Sequence, residues 1–199
     1  MKFTDVNPFN KKIQKIINKS ILNTVKKKDF ILGKNVKKFE KKFSKMSNAK
    51  YAIGCATGTD ALLLALKALN IKKNHEVIIP GMSYISTGLS VVLNNNKIKF
   101  ADIDNQTGLI SLESIKKNLS KNTKVIIVVN LYGQKADIKL LRGLVGKKIY
   151  IIEDSAQSHL ASTCQNCTKS NHDYCFKREK SQKYSDLSCY SFYPSKNLG

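Results

Sequence analysis

Lys124-Val125-Ile126-Ile127-Val128-Val129-Asn130 is an apolar run with polar ends and no alternation. A strand of that kind is buried on both faces, as in a parallel sheet covered by helices on each side. The stretches around it keep the same rhythm. Upstream lie Glu76 to Pro80 and Lys97 to Asp102, and downstream Lys148 to Asp154 and Ser188 to Tyr193. Between them come segments with helical spacing: Asp60 to Leu69, Ser83 to Leu93, Ser111 to Leu119 and Asp137 to Val145. Tyr51 to Cys55 reads as one more short strand, which would place Cys55 in the core, as Ser188 to Tyr193 would place Cys189. The pattern predicts an α/β fold with a mostly parallel sheet sandwiched by helices. Ligands in such sheets bind beyond the carboxyl ends of the strands.

Two segments stand outside this rhythm. Residues 1–50 read as a helical segment, with Ile13, Ile16, Ile17, Ile21 and Val25 on one face of a first helix and Val36, Phe39 and Phe43 on one face of a second. Residues 51–199 then form the sheet domain. Within it, residues 162–184 are polar, basic and Cys-rich with no apolar period, which reads as a loop insertion. Cys164, Cys167, His172 and Cys175 lie in that insertion. Three thiolates and an imidazole can complete a tetrahedral zinc site, and the same residues can equally be reduced thiols and a histidine in a loop. The five cysteines are an odd number in a chain without an export signal, which argues against a disulfide framework.

The formal net charge of +21 raises the question of nucleic acid. Arg142 and Arg178 are the only arginines, however, although arginine is the usual bidentate reader of phosphates and bases. The lysines travel with abundant Asn and Ile, a compositional drift towards AT-rich codons, and a solvated lysine-rich surface is the preferred reading. No apolar run approaches the roughly 20 residues that cross a bilayer, and Met1 to Asn10 lacks the apolar centre of a signal peptide. The expected location is the cytoplasm.

Three motifs fall where the fold argument puts a site. Thr57-Gly58-Thr59-Asp60 is a turn entering a helix, whose N–H groups and dipole can hold a phosphate or simply be capped. Glu153-Asp154-Ser155-Ala156-Gln157-Ser158-His159 ends a buried strand in acid. Such a carboxylate needs a partner; a protonated pyridine nitrogen would serve, and so would a role as helix cap. Ser191-Phe192-Tyr193-Pro194-Ser195-Lys196-Asn197-Leu198-Gly199 sets a lysine just past an aromatic strand, a context that suits a Schiff-base lysine.

In this order the motifs resemble the DegT/DnrJ/StrS family of pyridoxal-phosphate (PLP) dependent nucleotide-sugar aminotransferases. Phe30-Ile31-Leu32-Gly33, Glu76 to Pro80, Asp102-Ile103-Asp104 and Asn130-Leu131-Tyr132-Gly133-Gln134 add to the match, which covers nearly the whole chain. The resemblance implies a PLP fold type I large domain that stops before the C-terminal small domain. It implies Lys196 as the catalytic lysine that holds PLP and shuttles a proton. It places Asp154 on the pyridine nitrogen, Gln157 near the phenolic oxygen, Gly58, Thr59 and Ser191 on the phosphate, and Tyr84 against the ring. His159 would either orient these groups or be a satisfied structural histidine. The implied partners are an amino acid donor, usually glutamate, a keto sugar on a nucleotide, and a second subunit in a homodimer. Family dehydratases carry histidine in place of the lysine, so Lys196 argues for the transaminase branch. Two other readings stand beside this one: a non-catalytic PLP-binding or dimerising remnant, and a lysine-rich nucleic-acid binder. Leu160 departs from the family, where glycine is common.

Overall fold

The computed structural model describes residues 10–161 and 183–198. The chain falls into two compact units, one ending at Gly54 and the other running Cys55–Leu198.

The first unit contains α1 (Lys11–Lys27) and α2 (Lys34–Ser47). Asn10 caps α1 with its side chain, accepting from the N–H groups of Lys12 and Ile13. Its helical spacing is as the sequence indicates, yet none of its residues is buried, and Ile16, Ile21, Leu22 and Val25 are exposed. Asn48 ends α2 in the left-handed conformation that asparagine tolerates. Tyr51 to Gly54 forms no strand. Ile53 is 84% exposed, and the Gly54 N–H is held by the Glu40 carboxylate (2.7 Å) instead of a sheet neighbour. Apolar composition there did not produce a strand because no neighbouring strand pairs with it. Cys55 is consequently exposed, against the core position expected from its context, whereas Cys189 is buried.

The second unit is built on five parallel strands in the order β2-β1-β3-β4-β5: β1 (Glu76–Pro80), β2 (Lys97–Ala101), β3 (Thr123–Val129), β4 (Tyr150–Asp154) and β5 (Leu187–Cys189). The helices are α3 (Gly58–Ala68), α4 (Ile85–Leu93), α5 (Leu112–Asn118) and α6 (Ile138–Val145). Strand alternation divides the core between two faces. Val77, Ile79, Val125, Ile127, Ile152 and Cys189 pack with Leu62, Leu66 and Val91 from α3 and α4. Ile78, Ile126, Val128 and Ile151 pack with Ile115, Ile138 and Leu141 from α5 and α6. The middle of each central strand is therefore a continuous apolar run, Val77–Ile79, Val125–Val129 and Ile151–Ile152, because both faces are covered. The strand order reverses between β1 and β3, which opens a crevice at their carboxyl ends.

Candidate active site

Tyr84 follows the carboxyl end of β1, Asp154 and Gln157 stand at that of β4, and Ser191 and Lys196 follow that of β5, while Gly58 and Thr59 open α3. β1 leads through Tyr84, the N-cap residue of α4 and 72% exposed, into the first turn of that helix. Ser86 lies in that turn, with its Oγ 2.7 Å from Thr59 Oγ1 at the start of α3. The next residue, Thr87, is fully buried and donates its hydroxyl to Asp154 Oδ2 at 3.0 Å.

The start of α3 has the shape of an anion cradle. Thr57 caps it by accepting from Asp60 N–H (3.0 Å), and Ala61 N–H reaches the Thr57 carbonyl. The N–H groups of Gly58 and Thr59 precede Ala61, the first N–H bonded within the helix, and are left for another partner. A Cβ added to Gly58 would stand 3.0 Å from Ser191 Cβ, so the absence of a side chain lets the two loops close together. Gly58, Thr59 and Ser191 are thus assembled at one place.

Asp154 ends β4 and is buried. Burial pushes its carboxyl above the ordinary aspartate value, while the Ala156 N–H, the Thr87 hydroxyl and the Lys196 ammonium pull it back. Ala156 N–H approaches Oδ1 at 3.3 Å. Lys196 is half-buried in a turn closed by its own N–H to the Tyr193 carbonyl (2.8 Å). Gln157 accepts the Tyr132 N–H with Oε1 at 2.9 Å, which assigns Nε2 as its donor. Tyr132 makes that N–H available by adopting φ 55°, a left-handed conformation rare outside glycine.

His159 sits between the rings of Tyr190 (5.6 Å between centroids) and Phe192 (5.1 Å), with Nδ1 3.4 Å from Asn197 Oδ1. Burial lowers its pKa, and Lys196 adds to that effect, while hydrogen bonds that the ring donates to Asn197 and to the Ser191 backbone oppose it. Its neighbour Leu160 takes φ 56°, a left-handed conformation that glycine adopts without strain.

Two further groups were not visible in the motifs. Lys135 and Glu153 form a buried ion pair behind the sheet. Thr87 is hidden inside an apolar helix, and only the need of a buried hydroxyl for a partner marks it. Cys164, Cys167, His172 and Cys175 lie outside the described residues. Among the described residues no group of three or more His, Cys, Asp or Glu side chains could hold a metal ion, and no helix is long and apolar enough to cross a membrane.

The open parallel α/β sheet thus gathers a helix N-terminus, a buried acid and a lysine at its carboxyl edge. The chain belongs to the DegT/DnrJ/EryC1/StrS aminotransferase family, whose profile matches residues 11–199. It is similar to the UDP-2-acetamido-2-deoxy-3-oxo-D-glucuronate aminotransferase of Pseudomonas aeruginosa, at 34% identity over all of this chain and 52% of that protein. Among solved structures it resembles DesV of S. venezuelae in complex with a ketimine intermediate, with a TM-score of 0.86 and 28% identity over the whole chain and 50% of DesV. It also resembles NtdA of Bacillus subtilis with bound cofactor PMP, with a TM-score of 0.84 and 29% identity over the whole chain and 42% of NtdA. The fold is that of PLP fold type I aminotransferases, as the motifs led one to expect. The chain spans about half the length of the relatives it matches.

Proposed function

We propose that this chain is the cofactor-binding portion of a PLP-dependent transaminase that moves an amino group from an amino acid, glutamate by family habit, to a keto sugar carried on a nucleotide. The observation that carries the reading is the convergence of Asp154, Lys196 and the Gly58–Ser191 closure at one sheet edge. The residues fit PLP by their chemistry. The cradle at Gly58 and Thr59, which a Cβ would obstruct, suits a phosphate together with the Ser191 hydroxyl. The buried Asp154 carboxylate suits a protonated ring nitrogen. Gln157 Nε2 suits the phenolic oxygen, and the exposed Tyr84 ring suits stacking. When bound, PLP supplies an electron sink at the carbon being aminated. Lys196 Nζ would hold the cofactor and, once released from it, would carry the proton to and from that carbon. In the full-length protein the assembly is a homodimer, a reading supported by the exposed apolar side chains of α1, and its place is the cytoplasm.

A second reading, cofactor binding without turnover, rests on the same residues. Both readings are tested by adding PLP to the 199-residue chain, reducing with borohydride and mapping the modified peptide beside Lys196→Ala. The many lysines make the variant essential. A dominant adduct on Lys196 that vanishes in the variant is expected, and equal scattered labelling in both proteins would exclude a formed site. Consumption of glutamate by the loaded chain then separates transaminase from remnant.

A further inference from the structure

Asp154 has a second oxygen to account for. Its carboxylate lies on the same side of the sheet as Ile152 and Cys189, the side covered by α3 and α4. Ala156 N–H reaches Oδ1 only at 3.3 Å, and this backbone contact comes from the residue two further along the same turn. The contact from outside that turn is Thr87, donating to Oδ2 at 3.0 Å from a fully buried position on α4. Thr87 is itself fixed. It lies in the first turn of the helix, its N–H bonds to the Tyr84 carbonyl (3.1 Å), and its own carbonyl accepts the Ser90 hydroxyl (2.8 Å). One residue earlier, Ser86 makes the matching contact to Thr59 in the cradle.

We propose that Thr87 is a positioning residue whose hydroxyl fixes the plane of the Asp154 carboxylate and keeps it an acceptor for the cofactor's ring nitrogen. The consequence for the cofactor rests on the proposed function; the consequence for Asp154 does not. With Ser86 on Thr59, the first turn of α4 works as a spacer between the two ends of the site. A tilt of this one turn would move the phosphate cradle and the acid together. The hydroxyl is the group that matters, because a methyl in its place would leave Oδ2 desolvated without a donor, the costly case for a buried acceptor. The charged and titratable groups that bear on Asp154 are Lys196 from the last segment and Cys189 from β5.

The experiment compares Thr87→Val, which keeps the volume and removes the donor, with Thr87→Ser, which keeps the donor. Carbon-13 NMR of aspartate-labelled chain without PLP reads the Asp154 carboxyl directly, with Asp154→Asn for assignment. In Thr87→Val the titration midpoint is expected to move upward by about one pH unit, since a hydrogen bond to a charged group is lost. Thr87→Ser should titrate close to the parent. PLP affinity, followed by fluorescence quenching, should fall about tenfold in Thr87→Val and recover in Thr87→Ser. An unmoved Asp154 titration in Thr87→Val overturns the proposal whatever PLP does. A moved titration with no specific adduct at Lys196 in the parent keeps the Thr87 contact and removes the cofactor reading instead.

Discussion

Glu153 and Asp154 are neighbours in sequence and opposites in circumstance. They point to the two sides of the sheet at the end of β4. Behind the sheet, Glu153 is saturated. Its Oε2 takes the Lys135 ammonium and Asn130 Nδ2 (2.9 Å), and its Oε1 takes the hydroxyls of Ser185 (2.6 Å) and Ser188 (3.3 Å). In front, Asp154 has Thr87 and a long contact to the Ala156 N–H, with Lys196 acting through space. A buried carboxylate that its own protein satisfies completely is a structural device. One held less completely beside a lysine and a helix N-terminus has the environment of a functional acid. On the proposed function, the two faces of one strand separate stability from function.

The rear side should show the largest effect on folding. Lys135→Met leaves Glu153 as an uncompensated buried charge, and about 3–5 kcal/mol of stability should be lost in urea unfolding followed by circular dichroism. Replacing both partners with Lys135→Met and Glu153→Leu should recover much of that loss, because no charge then remains to be desolvated. Asp154→Asn supplies the contrast. The folded-state pKa of Asp154 is raised above its unfolded value of 3.8. The folded protein thus binds the extra proton first, and the stability it adds fades as pH rises through that raised value. At neutral pH the ionised side chain opposes folding, so Asp154→Asn should fold at least as well as the parent while losing specific PLP labelling. If Asp154→Asn destabilised the chain as much as Lys135→Met, the division between the two faces would fail.

An intermediate effect is expected at the cradle. Gly58→Ala forces a Cβ to within 3.0 Å of Ser191 Cβ, and overpacking of this kind costs about 1–3 kcal/mol. Adding Ser191→Gly should relieve the clash and restore the unfolding midpoint. It should not restore PLP retention, because the hydroxyl goes with the side chain. Recovery of both would show that Ser191 acts by shape alone. Leu160→Gly should gain about 1 kcal/mol by removing a side chain from a left-handed backbone position, read as a higher urea midpoint.

Most of the sheet was legible because covered parallel strands leave continuous apolar runs, as Val125 to Val129 and Ile151-Ile152 do. Tyr51 to Cys55 has the same local composition and forms no strand. Pairing depends on a neighbour, which a window of sequence does not contain. The cradle and the acid were legible as motifs because their spacing is local. Thr87 and Lys135 were not, since each acquires its meaning from a partner far along the chain: Asp154 for Thr87, and Glu153 for Lys135. Lys135 is also camouflaged by a lysine-rich composition in which most other lysines among the described residues are exposed. Buried polar groups at the ends of apolar elements are the signal that could have found both.

The smallest effect belongs to His159, and it tests how dry the front side is. Burial holds its folded pKa below the ordinary 6.5. As pH falls below 6.5, the unfolded chain takes up a proton that the folded chain resists, so stability is full above that value and is lost as pH falls towards the folded pKa. Protonation would also set a second positive charge beside Lys196 and disturb the clamp of Tyr190 and Phe192 on the imidazole. His159→Gln removes the titration. Between about pH 7 and about pH 5, its urea midpoint should therefore fall less than that of the parent, and specific labelling at Lys196 should depend less on pH. Equal slopes in the two proteins would mean that water reaches the ring freely. The segment carrying Lys196 would then be held by its own turn at Tyr193, with no contribution from the histidine.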